Sequence, residues 1–265
     1  PFTPFTDESR LKTIGKVAKK KTGTRVRFWA DFQIFPSDEG FTWETLLARA
    51  RQTAFLVPGL TINCFDERGE EVVHESFRFD GGVVDFVDWL SNDGAVTDTW
   101  HIQGEGTFTE TVQALDPESG HLRAVETERI CEVDCALRWG IGYDAQLESF
   151  VNIIATPKGG THVAGFEQAV LKVLRSQVDK NARKLKVSAK DGRPEKDDVL
   201  AGMTAVVTVR FPEPQFEGQT KEILGTPQIR TVVARVVGDW LESKFASSKR
   251  DDKQQTSALL EKVVG

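Results

Sequence analysis

MTAVVTVRFPEPQFEGQTKEILGTPQIRTVVARVVGDWL, residues Met203 to Leu241, holds three kinds of local structure in one run. Met203 to Phe211 is a β-branched, apolar segment closed by Pro212 and Pro214, which reads as a strand. Glu213 to Leu224 is polar and irregular. Thr226-Pro227 then opens a helix with proline at its first position, where the missing amide costs nothing. In that helix Ile229, Val232, Val233, Val236, Val237, Trp240 and Leu241 form the strongest amphipathic stripe of the chain. The strand needs a sheet and the helix needs a core, so this run belongs inside a folded domain and not in a linker.

Working outward, a second long helix precedes the strand. Thr161 is its expected N-cap, and Val163, Phe166, Val170, Leu174 and Val178 recur every three or four residues. Ala189 to Asp198 reads as a polar loop. Trp100 to Phe150 is rich in strands, with turns expected at Asp116-Pro117 and Gly140-Ile141-Gly142. Nearer the start, Thr42 caps a helix whose stripe is Trp43, Leu46, Leu47, Ala50, Ala54 and Phe55, stopped by Pro58-Gly59. A hairpin of Leu60–Phe65 and Val72–Phe79 follows across the turn Asp66-Glu67-Arg68-Gly69. After Gly81-Gly82 a short helix carries Val83, Phe86, Val87 and Leu90. The tail beyond Lys249 is a last helix with a weaker stripe. Early strands with helices packed on one side predict an α+β fold. There is no internal repeat and no low-complexity tract.

The first forty residues are different in kind. Arg10 to Arg27 holds eight basic residues (Arg10, Lys12, Lys16, Lys19, Lys20, Lys21, Arg25 and Arg27) and no acid. Thr24 to Trp29 alternates towards an apolar face at Val26 and Phe28 and reads as a single strand. A lone strand is not a domain, so either it joins the following sheet or it ends a domain lying upstream. There is no initiator methionine, and Pro1 reads as a cut end.

Composition sets the outer limits. The chain has 265 residues with 39% hydrophobic and 28% charged, a globular and not a disordered composition. Its net charge of −6 excludes wholesale coating of nucleic acid, so any such contact needs a local basic face. Three cysteines make no disulfide framework. Cys131 and Cys135 stand four residues apart on a strand, about 13 Å, too far for a bridge, and are expected to be free, buried thiols. No apolar run is long enough to span a bilayer and no signal-peptide core opens the chain, so a soluble, cytoplasmic protein without a membrane partner is expected.

Catalytic motifs for nucleotide, metal or serine chemistry are missing: the sequence has no GxxxxGK[ST], GxGxxG after a strand, HExxH, GxSxG or CxxC. Three features remain. His162, in the first turn of its helix, either meets an anion or merely fills out the helix start. Lys172, Arg175, Lys180, Arg183, Lys184 and Lys186 make a basic face that either contacts phosphates or is a solvated helix end. The loop Pro212 to Lys221 is stiffened by two prolines, anchored by Phe216 and freed at Gly218. It can present the Gln219 amide and the Lys221 ammonium in one direction, a combination suited to a terminal phosphate; the plainer reading is an exposed lysine in a polar loop.

Five blocks, in order, resemble the B subunit of bacterial type II DNA topoisomerases, meaning gyrase B or its topoisomerase IV equivalent. They are KTGTRVRFWADFQIF (Lys21–Phe35), ARARQTAFLVPGLTI (Ala48–Ile62), FDGGVVDFVDWL (Phe79–Leu90), GGTHVAGFEQAV (Gly159–Val170) and PEPQFEGQTKEILG (Pro212–Gly225). The resemblance implies a transducer domain with a ribosomal-S5-domain-2-like fold, preceded by the last strand of a GHKL ATP-binding domain. It divides the chain into residues 1–40 from the ATP-binding domain, 41–248 as transducer, and 249–265 as a helix leading towards a metal-binding TOPRIM domain. By the same resemblance Gln219 and Lys221 contact the γ-phosphate of ATP, with Lys221 acting catalytically by stabilising charge in phosphoryl transfer. Gly23 and Thr24 belong to the adenine side of the nucleotide site. Loss of the γ-phosphate would release the loop and rotate the domains.

The family's catalytic glutamate, magnesium-binding asparagine and glycine-rich lid would lie before Pro1, and the TOPRIM carboxylates beyond Gly265. ATP and Mg2+ are thus cofactors of a full-length parent, with none expected on this chain alone and no metal site of its own. The implied partners are the topoisomerase A subunit, double-stranded DNA and a second copy of the B subunit, and the implied reaction is ATP-dependent strand passage. A stand-alone S5-like module binding nucleic acid through residues 172–186 is the competing expectation. The stretch Leu115 to Glu132 is longer than the family's usual connection and reads as an insertion.

Overall fold

The computed structural model describes residues 13–31, 33–34, 42–115, 121–188 and 192–265. The chain divides into two units, Pro1–Thr42 and Trp43–Gly265. In the first unit the described residues form turns and irregular segments only. Ala18 and Lys21 close one turn, and the Arg27 guanidinium lies 4.7 Å from the centre of the Trp29 ring. Thr24 to Trp29 is not a strand here, and Val26 and Trp29 are 79% and 75% exposed. The alternation is present in the sequence, but a strand exists only through a neighbour's hydrogen bonds. Among the described residues no strand pairs with this segment. Arg10, Lys12 and the turn at Asp116-Pro117 lie outside the described residues.

The second unit is built on a five-stranded mixed sheet. Its strands are β3 (Trp100–Leu115), β4 (Leu122–Trp139), β5 (Gln146–Val151), β6 (Ile154–Ala155) and β7 (Met203–Arg210), preceded in the chain by the separate hairpin of β1 (Ile62–Asp66) and β2 (Val73–Phe77). The spatial order is β3-β4-β7-β5-β6, with β5 and β7 parallel and the other pairs antiparallel. The parallel pair is joined through α3 (Thr161–Lys180), α4 (Ala182–Leu185) and α5 (Lys196–Leu200). α5 stands where the sequence suggests only a polar loop, started by a capping box between Glu195 and Asp198. After β7 come the short pair β8 (Phe216–Glu217) and β9 (Ile223–Leu224), then α6 (Gln228–Ala246) and α7 (Arg250–Val264).

Both faces of this sheet are covered, not one. On the first face Cys131, Val133, Cys135, Leu137, Ala205, Val207 and Val209 meet Phe166, Val170 and Leu174 of α3 together with Ile229, Val233 and Val237 of α6. α7 closes that layer with Leu259, Leu260 and Val263. On the opposite face Ala136, Phe150 and Val206 meet Val83, Phe86 and Val87 of α2 (Val83–Leu90) and Phe55 of α1 (Trp43–Leu56). The run MTAVVTV is apolar at successive positions because the middle of β7 has no solvent side. Burial of Phe55 against Phe79 and Phe86, with ring centroids 3.7 and 4.6 Å apart, fixes α1 on α2. Leu46, expected in the α1 stripe, is 43% exposed, while Ala50 and Ala54 close on Cys64 and Phe77.

All three cysteines are free and buried. Burial pushes the Cys131 thiol up to about 12 and the Cys135 thiol higher still, so neither is a nucleophile near neutral pH.

The β3–β4 hairpin outgrows the sheet. β7 pairs with β4 only over Glu132–Trp139, whereas β3 and β4 stay in register from Trp100–Leu137 to Leu115–Leu122. Most of the expected insertion is thus a two-stranded ribbon extending past the end of β7.

Candidate functional site

Pro212 to Gly225 leaves β7 and returns to α6 as a finger with a fastened foot and an open tip. At the foot, the Gln215 amide donates to Thr226 Oγ1 at 3.1 Å and the Gly225 amide donates to the Gln215 carbonyl at 2.8 Å. Phe216 then pairs with Leu224 and Glu217 with Ile223. The returning limb is locked against the turn before α3. Leu224 donates its amide to the Gly159 carbonyl at 3.1 Å, and the Lys158 amide donates to the Glu222 carbonyl at 3.2 Å. Gly160, with φ 134°, lies so close to Leu224 that a Cβ there would collide with the Leu224 backbone. Thr161 is not the N-cap, a place taken by Gly160; its hydroxyl donates to the Thr226 carbonyl at 2.8 Å and joins the starts of α3 and α6.

Beyond this foot the tip is exposed. Gly218 turns the backbone at φ 79°, and Lys221 has φ 57°, a left-handed conformation uncommon for a lysine. Gln219, Thr220 and Lys221 all face solvent. The Lys221 ammonium lies 5.8 Å from the Phe216 ring centre, and no carboxylate among the described residues forms an ion pair with it. The neighbouring acid is already engaged, since Glu222 accepts from Lys158 Nζ at 2.7 Å and from Thr220 at 3.2 Å. That lysine and then Thr220 hold the Glu222 carboxyl below its ordinary range. The tip therefore offers an uncommitted ammonium and an amide on a backbone whose two ends are fixed. The donors suit an anion such as a phosphate. Among the described residues no group of three or more His, Cys, Asp or Glu side chains is placed to hold a metal ion.

The remaining expected residues fall elsewhere. Gly23 and Thr24 belong to the first unit and are exposed. His162 does not face an anion. It is fully buried, its Nε2 lies 3.1 Å from Thr156 Oγ1, and desolvation depresses its pKa to about 4. A consistent arrangement runs from His162 Nε2–H to the Thr156 hydroxyl, from there to Ser149 Oγ, and from Ser149 to the Thr156 carbonyl. The basic face at the end of α3 is only partly free. Arg175 donates to the Pro194 carbonyl at 2.8 Å and Lys184 to Ser257 at 2.7 Å, while Lys172, Lys180, Arg183 and Lys186 are exposed.

One cluster lies outside all of the expected residues. Glu110 on β3 and Arg129 on β4 reach the foot of the finger. Gln215 Nε2 donates to Glu110 Oε1 at 3.0 Å, Arg129 Nε lies 3.6 Å from Glu110 Oε2, and the Arg129 guanidinium donates to Glu213 at 2.5 Å. The available signal is Glu110 itself, a carboxylate between Phe108 and Val112 on the inward side of an alternating strand.

Comparison with known proteins follows the same residues. The family model for DNA gyrase B matches residues 82–265. The chain is 36% identical over 250 residues to the B subunit of DNA gyrase from Campylobacter jejuni, covering 94% of this chain and 29% of that protein. It is 35% identical over 257 residues to the B subunit of DNA topoisomerase 4 from Enterococcus faecalis, covering 96% of this chain and 33% of that one. Among solved structures, the 43K ATPase domain of Thermus thermophilus gyrase B in complex with an aminocoumarin matches 87% of this chain and 55% of its own, with 28% identity and a TM-score of 0.61. The chain spans about a third of the length of the curated relatives it matches.

Proposed function

This chain belongs to the DNA gyrase B family, and we propose that it is the part of an ATP-dependent type II topoisomerase that relays nucleotide state to DNA strand passage. In this reading Trp43–Gly265 is built around an S5-domain-2-like transducer. Residues 1–40 end the GHKL ATP-binding domain, 41–248 are the transducer, and 249–265 lead towards TOPRIM. α7 is seated through Leu259, Leu260 and Val263 in the main core, so it would transmit movement of the transducer as a rigid extension and not as a slack linker. The partners are the A subunit, double-stranded DNA and a second copy of the B subunit, and the setting is the cytoplasm. Among the described residues no helix is long and apolar enough to cross a membrane.

The observation that carries this reading is the finger, with Gln219 and Lys221 exposed at the tip and its two limbs paired with each other and fastened to the turns before α3 and α6. ATP supplies a terminal phosphate whose charge grows in the transition state of transfer. Lys221 would place its ammonium, and Gln219 its amide, against those oxygens, with Gly23 and Thr24 on the adenine side. A donor preset where charge develops typically contributes a factor of about 10²–10³ in turnover. Magnesium would be held by residues outside this chain.

The test uses a full-length gyrase B protein carrying this segment. Lys221→Ala is expected to lower ATP turnover on the order of 10²-fold while circular dichroism and thermal midpoint stay unchanged. Wild-type turnover in that variant would remove Lys221 from the reaction. The competing module that binds nucleic acid through residues 172–186 has no second structural observation behind it, since two of its six cations are spent on Pro194 and Ser257.

A further inference from the structure

We propose that Glu110 and Arg129, on the long β3–β4 hairpin, are positioning residues for the finger that bears Gln219 and Lys221. This rests on the reading of that finger given above. The two side chains share the face of the hairpin that carries Phe108, whose ring packs edge-on against Phe211 at 5.7 Å. Glu110 is 8% exposed and stands in line with Phe108 on the inward side of β3. A charge in such a place persists only with partners. Its partners are Gln215, from the finger, on one oxygen and Arg129, across the hairpin, near the other, with Arg129 extending to Glu213 of the finger.

The hairpin does not require these contacts for its own integrity. It already holds continuous antiparallel register from Trp100 to Leu115, and the Phe108–Phe211 contact ties it to the end of β7. The contacts act on the finger. Glu213 has φ 55°, a left-handed backbone that a non-glycine residue keeps only where its surroundings hold it. Two residues on, Gln215 joins both limbs of the foot through Thr226 and Gly225, and β8 leads from it directly to Gly218. Arg129 and Glu110 therefore grip the outgoing limb from one side, while Gly159 and Gly160 grip the returning limb from the other. Releasing one grip lets the tip sample positions about an ångström apart, which is enough to matter for a group that must meet a reacting phosphate.

Two measurements on Arg129→Ala, Arg129→Lys and Glu213→Gln test this. The first follows hydrogen exchange of amides 213–224 in the 265-residue chain. Arg129→Ala is expected to speed exchange there at least five-fold, with amides 203–210 of β7 unchanged. Glu213→Gln, which leaves the Glu110–Arg129 pair intact, is expected to give a smaller rise. If Arg129→Ala does not fold, Glu213→Gln and Arg129→Lys decide the matter by the same readout. Unchanged exchange in the folded variants overturns the proposal.

The second measurement is ATP turnover of a full-length gyrase B protein, where Arg129→Ala is expected to lower kcat on the order of ten-fold with KM nearly constant, and Arg129→Lys to restore part of it. Wild-type kcat in Arg129→Ala, alongside an inactive Lys221→Ala, also overturns it. Were Lys221→Ala itself fully active, the reading of the finger would fall, and the exchange experiment would still decide whether the grip exists.

Discussion

The two ends of α3 make opposite use of their side chains. At its start, Gly159, Gly160 and Thr161 are all joined by hydrogen bonds or backbone contact to the finger and to α6, and His162 is sealed beneath them. At its far end stand six cations in fifteen residues, from Lys172 to Lys186, most of them in solvent. The far end has more charge, yet the near end positions a single exposed lysine. If the proposed role of Lys221 holds, a count of charges in the sequence ranks the two ends wrongly. What distinguishes them is how many independent contacts fix the backbone that carries the charge, because a fixed donor spends no reorganisation when its ligand arrives.

The sharpest way to break this contrast is to remove cations from each end in turn. In a full-length gyrase B protein, the triple change Lys172→Ala, Arg183→Ala and Lys186→Ala is expected to alter ATP turnover less than about two-fold, against the roughly 10²-fold loss expected for Lys221→Ala. Comparable losses would show that charge number outweighs placement. The triple variant should instead appear in a salt titration of duplex DNA binding, where each lost phosphate contact lowers the slope by about 0.9.

Next in size is a pH effect at the near end. His162 has a pKa of about 4 in the fold against 6.5 unfolded, so burial favours its neutral form. Its contribution is complete above pH 6.5 and is lost as pH falls towards 4, roughly 3 kcal/mol in total. Urea midpoints measured between pH 7 and 4 should fall accordingly, and His162→Gln should flatten that part of the curve. A histidine that titrated normally would leave the two curves parallel.

Smaller still is the close approach at Gly160. Gly160→Ala forces a Cβ against the Leu224 backbone at a φ that alanine resists, which is expected to cost about 1–3 kcal/mol and to loosen the returning limb. Proteolysis within 213–224 would report the loosening. Least of all, Lys158→Ala removes an exposed, solvent-screened ion pair with Glu222 and should leave the thermal midpoint nearly unchanged. A larger effect there would mean that the pair, and not the backbone contacts, fixes the limb.

Much of this is legible without coordinates. The spacing of Val83, Phe86, Val87 and Leu90 locates α2, and the stripes of α3 and α6 name most of the residues that line the first face of the sheet. The finger is visible as a stiff polar interruption between a strand and a helix, with Gln219 and Lys221 at its tip. The second covered face is less plain, although the successive apolar residues Ala205, Val206 and Val207 of β7 are its mark. Thr24–Trp29 alternates, yet among the described residues no neighbour pairs with it and no strand forms there. Thr161 has the type and position of a cap, yet its hydroxyl is drawn to Thr226, 65 residues away.

Sequence alone determined what depends on near neighbours: helical and strand periods, the stops at Pro58-Gly59 and Pro212, and the burial of three thiols that cannot pair. Tertiary structure decided what depends on distant ones. Glu110, Arg129, Glu213 and Gln215 converge across 84 and 105 residues of chain, and His162 is held neutral because the folded domain buries it completely. Backbone periodicity is a short-range property that each segment carries with it. Ion pairs, desolvation and strand partners are set by register and packing, and those exist only once the whole domain has formed.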